Sequence, residues 1–406
     1  MAKKNPPPRF YGERIYNEVL PKAISELNPQ TPYVISSPSS AKIQTEKTTG
    51  ANEGQYGDQH YWDVWHGRGD WKHYAESTAR FASEFGFASS CSLSQWKQVI
   101  SRPCEWQFNS ETVRWHDKTG KPFETYYGYV KAHYPEPKTL EDWVYTSQLN
   151  QRDALRNGIE HYRRGDTCSG ALIWQFNDCW PVESWAVQDG LRMLKPAGFE
   201  LKRLYAPVTL ALTIENSVLA GTLISDAAQE TEYEINLNAY STQNERVAKR
   251  QSMTLRAGGE NRTVQFQWDL SELPANETLV SAQIQGIPES ITWRLLAEPK
   301  DMKLSKPGLT ARWQEGVVLE VKGIVIDLVL RDPDDLQNVI QCHPLLPGSQ
   351  PLTAVDETLR APFLRRPKRV IAQSLAGSVI LTLQSENGVL TEERGGGVAL
   401  IQEPLE

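Results

Sequence analysis

Cysteine is scarce in this chain and shows no pairing pattern. The five residues are Cys91, Cys104, Cys168, Cys179 and Cys342, an odd number with no Cys-x-x-Cys spacing. Neither a disulfide framework nor a structural zinc site is expected from them, and the pattern fits a reducing compartment. Long apolar runs are missing too, so no bilayer span is expected. The N-terminal Met-Ala-Lys-Lys-Asn-Pro-Pro-Pro-Arg has basic residues but no apolar core behind them, unlike a secretory signal. The expected location is therefore cytoplasmic or otherwise intracellular. Neither sign of charge dominates: charged residues are 23% and the net charge is -7. That balance argues against nucleic acid or an anionic membrane as partner. No metal or other cofactor is expected, and no fixed-period repeat or low-complexity tract occurs. Two glycosylation sequons, at Asn261 and Asn276, are weak signals in 406 residues.

What the chain has in quantity is tryptophan, unevenly placed. Ten of the thirteen lie between Trp62 and Trp185. Large aromatics with polar neighbours suit sugar binding, because the C–H faces of a pyranose pack on indole while its hydroxyls need hydrogen bonds. A tryptophan-rich core is the alternative, and it is the better reading for Trp96, Trp106, Trp115 and Trp143.

The length suggests about two to four domains. Residues 12–27 carry apolar side chains at helical spacing, with Pro21 early and Asn28-Pro29 as the stop. Tyr33–Ser36, His60–Trp65, the run ending at Phe87, and Ser169–Phe176 read as strands. Leu93–Ile100 and Leu140–Tyr162 read as helices. Strands separated in this way over 33–205 argue for an α/β unit with parallel strands. Near Tyr205-Ala-Pro207 the pattern changes to period-two alternation, in Thr209–Ile214, Tyr233–Asn238, Thr263–Trp268 and Val280–Ile284. This predicts a β-sandwich of roughly a hundred residues. A further all-β segment starts near Leu304, with strands at Leu309–Trp313 and Val317–Val321. Residues 336–366, rich in Pro, Asp and Gln, show no clear strand alternation. The domain boundaries expected are 1–205, 206–300 and 301–406.

Glu84 stands out within Arg80-Phe-Ala-Ser-Glu-Phe-Gly-Phe87. A carboxylate in an apolar strand is costly unless it is paired or reactive. Its bland reading is an ion pair, with Arg80 as candidate. Its functional reading is a catalytic group at the C-terminal end of a barrel strand. Three strand ends collect the interesting groups: His60, Trp62 and Trp65; Glu84; and Trp174, Asn177 and Asp178. His66, His73 and His116 read as surface residues.

Four stretches then carry a resemblance: Thr31–Ser40, Gly57–Gly67, Phe81–Phe87 and Gly170–Pro181. In their order and spacing the chain resembles the C-terminal part of a β-mannosidase of glycoside hydrolase family two, of the fungal intracellular type, over about residues 11–320. The resemblance implies the C-terminal half of a (β/α)₈ TIM barrel, strands five to eight, followed by one or two immunoglobulin-like sandwiches. It implies retaining hydrolysis of terminal β-D-mannose from manno-oligosaccharides or the N-glycan core. Glu84 would be the nucleophile. Trp62 and Trp174 would line the subsite of the cleaved mannose, with His60 and Asp178 binding hydroxyls. The acid/base glutamate of such enzymes, in an Asn-Glu pair after an apolar strand, has no counterpart here. Asn17-Glu18 lies inside the helical pattern of 12–27 and reads as a solvated helix residue.

A full barrel takes about 250 residues and eight strands, so the expected half-barrel would leave sheet edges unpaired, and the chain is expected to dimerise or aggregate. A non-catalytic carbohydrate-binding or interaction fragment is the reading from a different class. Related β-galactosidase or β-glucuronidase chemistry would share the nucleophile, and His60–Trp65 favours the mannosidase.

Overall fold

Three short parallel strands form the sheet on which the candidate residues meet: β1 (Gln59–His60), β2 (Ala82–Phe85) and β3 (Ala171–Ile173), side by side in that order. The computed structural model describes residues 12–39, 52, 54, 56–244, 246–305, 308–313, 317–322, 324, 326–331, 338–340, 352–353 and 369–382. All three strands run the same way, so their C-terminal ends share one edge of the sheet. Helical segments connect and cover them: α1 (Leu20–Leu27), α2 (Leu93–Val99), α3 (Glu111–Trp115), α4 (Phe123–His133), α5 (Leu140–Arg164) and α6 (Pro196–Leu204).

The long helix α5 is the spine of this unit. Thr139 and Asp142 close a capping box at its start, each side chain satisfying the other's backbone N–H. His161, Arg163 and Arg164 lie in the last turn, where positive charge opposes the helix dipole. Trp143, Leu149, Leu155, Ile159 and Tyr162 are all buried, as the helical spacing predicts. Gly158 lets β2 approach: a methyl group there would lie 2.9 Å from the Phe85 ring. Phe85 is fully buried and meets Tyr162 edge-on at 5.2 Å. Successive strand side chains alternate in direction, so Phe85 entering the core sends its neighbour Glu84 to the opposite face.

The second unit is a two-sheet sandwich. One sheet has the order β4 (Val208–Glu215), β5 (Val218–Ser225), β8 (Thr263–Asp269). The other joins β10 (Ile287–Leu295), β9 (Thr278–Ile284), β6 (Thr231–Ser241) and β7 (Val247–Ala257). Leu210, Leu212, Leu219 and Leu223 from the first sheet pack with Ile235, Leu237, Val280 and Ala282 from the second in one apolar core. Beyond it lie β11 (Gly308–Trp313), β12 (Val317–Lys322) and β15 (Leu352–Thr353) in one sheet. β14 (Asn338–Ile340), β13 (Val329–Arg331), β16 (Arg369–Ser374) and β17 (Gly377–Thr382) form another.

Buried charge fastens the first unit to the segments that follow it. Glu160 of α5 accepts from Arg203 of α6 at 2.7 Å, from Arg294 of β10, and from the Leu212 N–H of β4 at 3.1 Å. Arg152 of the same helix pairs with Asp153 at 2.8 Å and with Asp327. Each of these carboxylates is largely withdrawn from solvent, and removing one partner of such a cluster typically costs about 3–5 kcal/mol.

Several expectations need correction. Tyr33–Ser36 forms no strand: Tyr33 and Val34 are irregular, Ile35 and Ser36 bend, and the nearest pairing is the single bridge between Ser39 and Asp58. The parallel sheet therefore has three strands among the described residues, where four were expected. The strand expected over His60–Trp65 stops at His60, and Asp63–Arg68 winds into a wide helical turn. It winds because Val64 and Trp65 both turn into the core, while Asp63 and Arg68 join across the turn at 2.7 Å. The strand expected over Ser169–Phe176 is confined to Ala171–Ile173. Residues 12–27 are helical, but Ile15–Val19 takes the wider π winding before α1. Trp96 and Trp143 are fully buried and Trp106 is half-buried, whereas Trp115 is 63% exposed. His116 is buried, its Nδ1 against the Pro181 carbonyl oxygen at 2.5 Å. Within 336–366, β14 and β15 are strands where none was expected; the rest of that span lies outside the described residues. No helix among the described residues is long and apolar enough to cross a membrane.

Candidate active site at the strand ends

The register of β1 on β2 sets Glu84 opposite His60. The Tyr61 N–H donates to the Glu84 carbonyl oxygen at 2.7 Å, and the Trp174 N–H donates to that of Phe85 at 2.7 Å. Backbone pairing thus delivers one residue of interest from each strand end to the same place. The Glu84 side chain is about one-quarter exposed, at 24%. Its Oε1 accepts the indole N–H of Trp62 at 2.6 Å, a short hydrogen bond. Its Oε2 faces His60 Nδ1 at 3.8 Å. Among the described residues the ionisable group that faces it is His60, and Arg80 is not paired with it.

Close backbone approach makes the arrangement fit. A methyl group on Gly86 would lie 2.0 Å from the Trp174 carbonyl oxygen and 3.2 Å from the Trp62 ring. Only a residue without a side chain admits both neighbours here. Trp174, at the end of β3, is 44% exposed, and its peptide bond to Gln175 is cis. Trp62 packs edge-on against Trp185 at 5.7 Å, and Trp185 against the buried Trp65 at 6.0 Å. One indole therefore holds the carboxylate while another presents itself to solvent.

Asp178 makes its hydrogen bonds within the loop after β3. It is buried and accepts from Ser184 Oγ at 2.7 Å and Gln175 Nε2 at 3.2 Å. Burial raises its carboxyl above the ordinary range despite those bonds. Its hydrogen bonds tie together the loop after β3, and none of them reaches His60, Trp62 or Glu84.

Sequence reading passed over several residues that matter here. Asp58 lies just before β1 and gathers the hydroxyls of Ser37 and Ser83 and the Ser39 N–H. Ser37 also lies 2.9 Å from His60 Nε2. Glu183 is fully buried and accepts from Trp143 Nε1 at 3.0 Å and the Tyr126 hydroxyl at 3.3 Å, bracing the loop that carries Trp185. Burial, and then the charge of Asp117, push its carboxyl up to about 7. Asp58 and Ser37 stood inside stretches already singled out, but nothing local marks which of several serines and acids will converge. Glu18, by contrast, lies on the first helical turns, exposed, paired with Arg14 at 3.0 Å.

Two cavities adjoin the sheet. One of about 370 Å³ is lined by His60, Trp62, Asp63 and His66, at the C-terminal ends of the strands. One of about 520 Å³ lies at the opposite end, between Ser77–Arg80 and Gly165–Cys168, with no carboxylate in its lining. No cluster of potential metal ligands occurs among the described residues.

No family model matches the chain. It is 33% identical over 217 residues to a β-mannosidase B of Thermothelomyces thermophilus, a match covering 50% of this chain and 24% of that protein. A β-mannosidase B of Aspergillus niger is 31% identical over 220 residues, 53% of this chain and 25% of that one. The chain thus spans about a quarter of the length of these relatives. Among solved structures, a β-D-mannosidase from Dictyoglomus thermophilum has a TM-score of 0.69 at 24% identity, covering 84% of this chain and 43% of that chain. An exo-chitosanase from Amycolatopsis orientalis follows, with a TM-score of 0.54 at 13% identity over 77% of this chain and 44% of that one. These structural likenesses concern the fold.

Proposed function

We propose that this chain, a partial chain of β-mannosidase-like kind, carries the nucleophile side of a retaining glycosidase site of family two. The substrates proposed are terminal β-D-mannosides of manno-oligosaccharides or the N-glycan core. The observation that carries the reading is Glu84, on the solvent-reaching face at the end of the central parallel strand, held by the Trp62 indole N–H at 2.6 Å. In this reading Glu84 Oε2 attacks the anomeric carbon and forms a glycosyl-enzyme. Trp62 and Trp174 supply the walls on which the sugar ring packs, and His60 is available to its hydroxyls. The sheet is read as half of a (β/α)₈ barrel, residues 206–300 as an immunoglobulin-like sandwich, and 301–406 as a second sandwich-like region.

A retaining mechanism also needs an acid/base carboxyl about 5–5.5 Å from the nucleophile. The acids neighbouring the site are committed elsewhere: Asp63 to Arg68, Asp58 to serine hydroxyls, Asp178 to Ser184. Loss of general acid–base help typically costs about 10²–10⁴-fold in rate, so weak turnover is expected from the chain by itself. The test is aryl β-mannoside hydrolysis by the purified chain beside Glu84→Gln. A rate in the unaltered protein above that of the variant supports the nucleophile; equal background rates in both sink the catalytic reading. Titration with mannobiose, followed by tryptophan fluorescence, tests the alternative of a carbohydrate-binding fragment that turns nothing over.

A further inference from the structure

The hydrogens available around His60 are few, and counting them fixes which ring nitrogen carries one. Asp58 Oδ2 lies 2.6 Å from Ser37 Oγ and also accepts from the Ser83 hydroxyl, while Oδ1 accepts the Ser39 N–H at 2.8 Å. Burial acts to raise the Asp58 carboxyl, but these donors outweigh it and hold it below the ordinary carboxylate range. An ionised carboxylate only accepts, so the single hydroxyl proton of Ser37 points at Asp58. The Ser37 oxygen, 2.9 Å from His60 Nε2, is then left as an acceptor toward the ring. Nε2 must be the donor. In the neutral ring Nδ1 is consequently a bare acceptor, and it faces Glu84 Oε2 at 3.8 Å. Two bare acceptors repel, and one proton between them removes the repulsion.

We infer that Asp58 and Ser37 are positioning residues that lock His60 in its Nε2–H tautomer, aiming a proton-accepting Nδ1 at Glu84 so that the two side chains hold one proton between them. The exchange balances. The O–H bond of a protonated Glu84 breaks, an Nδ1–H bond forms, and a neutral pair becomes carboxylate and imidazolium. Trp62 occupies Oε1 and leaves Oε2 to this exchange. The 3.8 Å gap is longer than a hydrogen bond, so the exchange requires the ring and the carboxyl to draw together, as catalytic contacts in empty sites commonly do on binding. The other ionisable groups beside the ring do not compete. Asp63 is engaged by Arg68 at 2.7 Å, and His66 is held below its ordinary value by burial and then by Lys121. The function served is to hold a proton acceptor beside Glu84, which favours its anion. This rests on the reading of Glu84 as the reactive carboxylate, although the tautomer itself needs no turnover.

The experiment is nitrogen NMR of the full chain with ¹⁵N-labelled histidine rings, for the unaltered protein and for Ser37→Ala, Ser37→Thr and Glu84→Gln. At a pH where the ring is neutral, the unaltered protein is expected to show His60 as the Nε2–H form. Ser37→Ala should relax the preference by about fivefold, the worth of one ordinary hydrogen bond, and Ser37→Thr, which keeps the hydroxyl, should restore it. Glu84→Gln should change the His60 titration, because the shared proton has lost its second holder. Unchanged His66 and His73 signals check that the variants fold. A dominant Nδ1–H form, a tautomer ratio indifferent to Ser37→Ala, or a His60 titration indifferent to Glu84→Gln overturns the inference. The two readings fail separately. A locked tautomer without mannoside turnover removes only the glycosidase, and turnover with an unlocked ring removes only the relay.

Discussion

Gly86 follows Glu84 by two positions, and the 2.0 Å distance from its would-be methyl group to the Trp174 carbonyl is shorter than any side chain tolerates. The atom in the way is backbone, so it cannot rotate aside. Gly86→Ala is therefore expected to lower stability by about 1–3 kcal/mol, as overpacking does, and to displace Trp62 from Glu84. Urea unfolding gives the first effect, and a changed tryptophan emission maximum in the folded state gives the second. A denaturation midpoint equal to that of the unaltered protein would contradict this account. Neighbouring residues show what single-residue reading misses. Trp115 and His116 were assigned the core and the surface, and the structure reverses them. Trp115 ends the short helix α3 and His116 follows it, too few turns for a spacing rule to say which side faces inward.

At the scale of elements, α5 is legible from its apolar spacing, and the structure adds a threonine cap and basic residues in the last turn that agree with it. Thr139→Ala removes half of the capping box and is expected to cost about 1 kcal/mol, measured as a lowered thermal midpoint with unchanged helical circular dichroism at low temperature. A loss well beyond that figure would mean that Thr139 does more than cap. The parallel strands were harder to bound. Trp, Val and Tyr favour strands, yet pairing ends at His60 and the chain winds from Asp63, because Val64 and Trp65 find burial in a helical turn. In the sandwich, β5 was passed over since it is central and mostly buried, so it lacks polar alternation. β7 was passed over for the opposite reason: it is an edge strand rich in Lys, Arg and Gln.

For the whole molecule, contacts between distant segments decide behaviour. His133, at the end of α4, is buried with Nδ1 at 2.9 Å from Glu298, beyond the sandwich, and Nε2 at 3.5 Å from Asp70; its ring lies over Trp71 at 4.3 Å. Burial works to lower the His133 value, but the bonds to Asp70 and Glu298 prevail and raise it above its ordinary 6.5. A group whose folded value is raised binds its proton more tightly in the native state. Its stabilising contribution is complete below 6.5 and is lost as the pH climbs through the higher folded value. Denaturation midpoints taken from pH 6 upward, a range set by the histidine reference value, should therefore fall more steeply for the unaltered protein than for His133→Gln. Parallel slopes would show that this bridge contributes nothing to pH dependence.

By itself the sequence determined the type of unit on each side of Tyr205, the place of α5, and Glu84 as the residue to watch. These follow from local periodicity, composition and the expense of a carboxylate in an apolar run, all of which act within a short window of chain. Only the tertiary structure decided what Glu84 touches. Trp62 reaches it because the turn after β1 winds; Ser37 reaches His60, and Asp58 holds Ser37, because Ser39 bridges to Asp58 just before β1; Asp178 is engaged by Ser184 and Gln175 within the loop after β3. Each of these outcomes is a competition for hydrogen-bond partners and buried space among segments far apart in the chain, and no local pattern encodes its result.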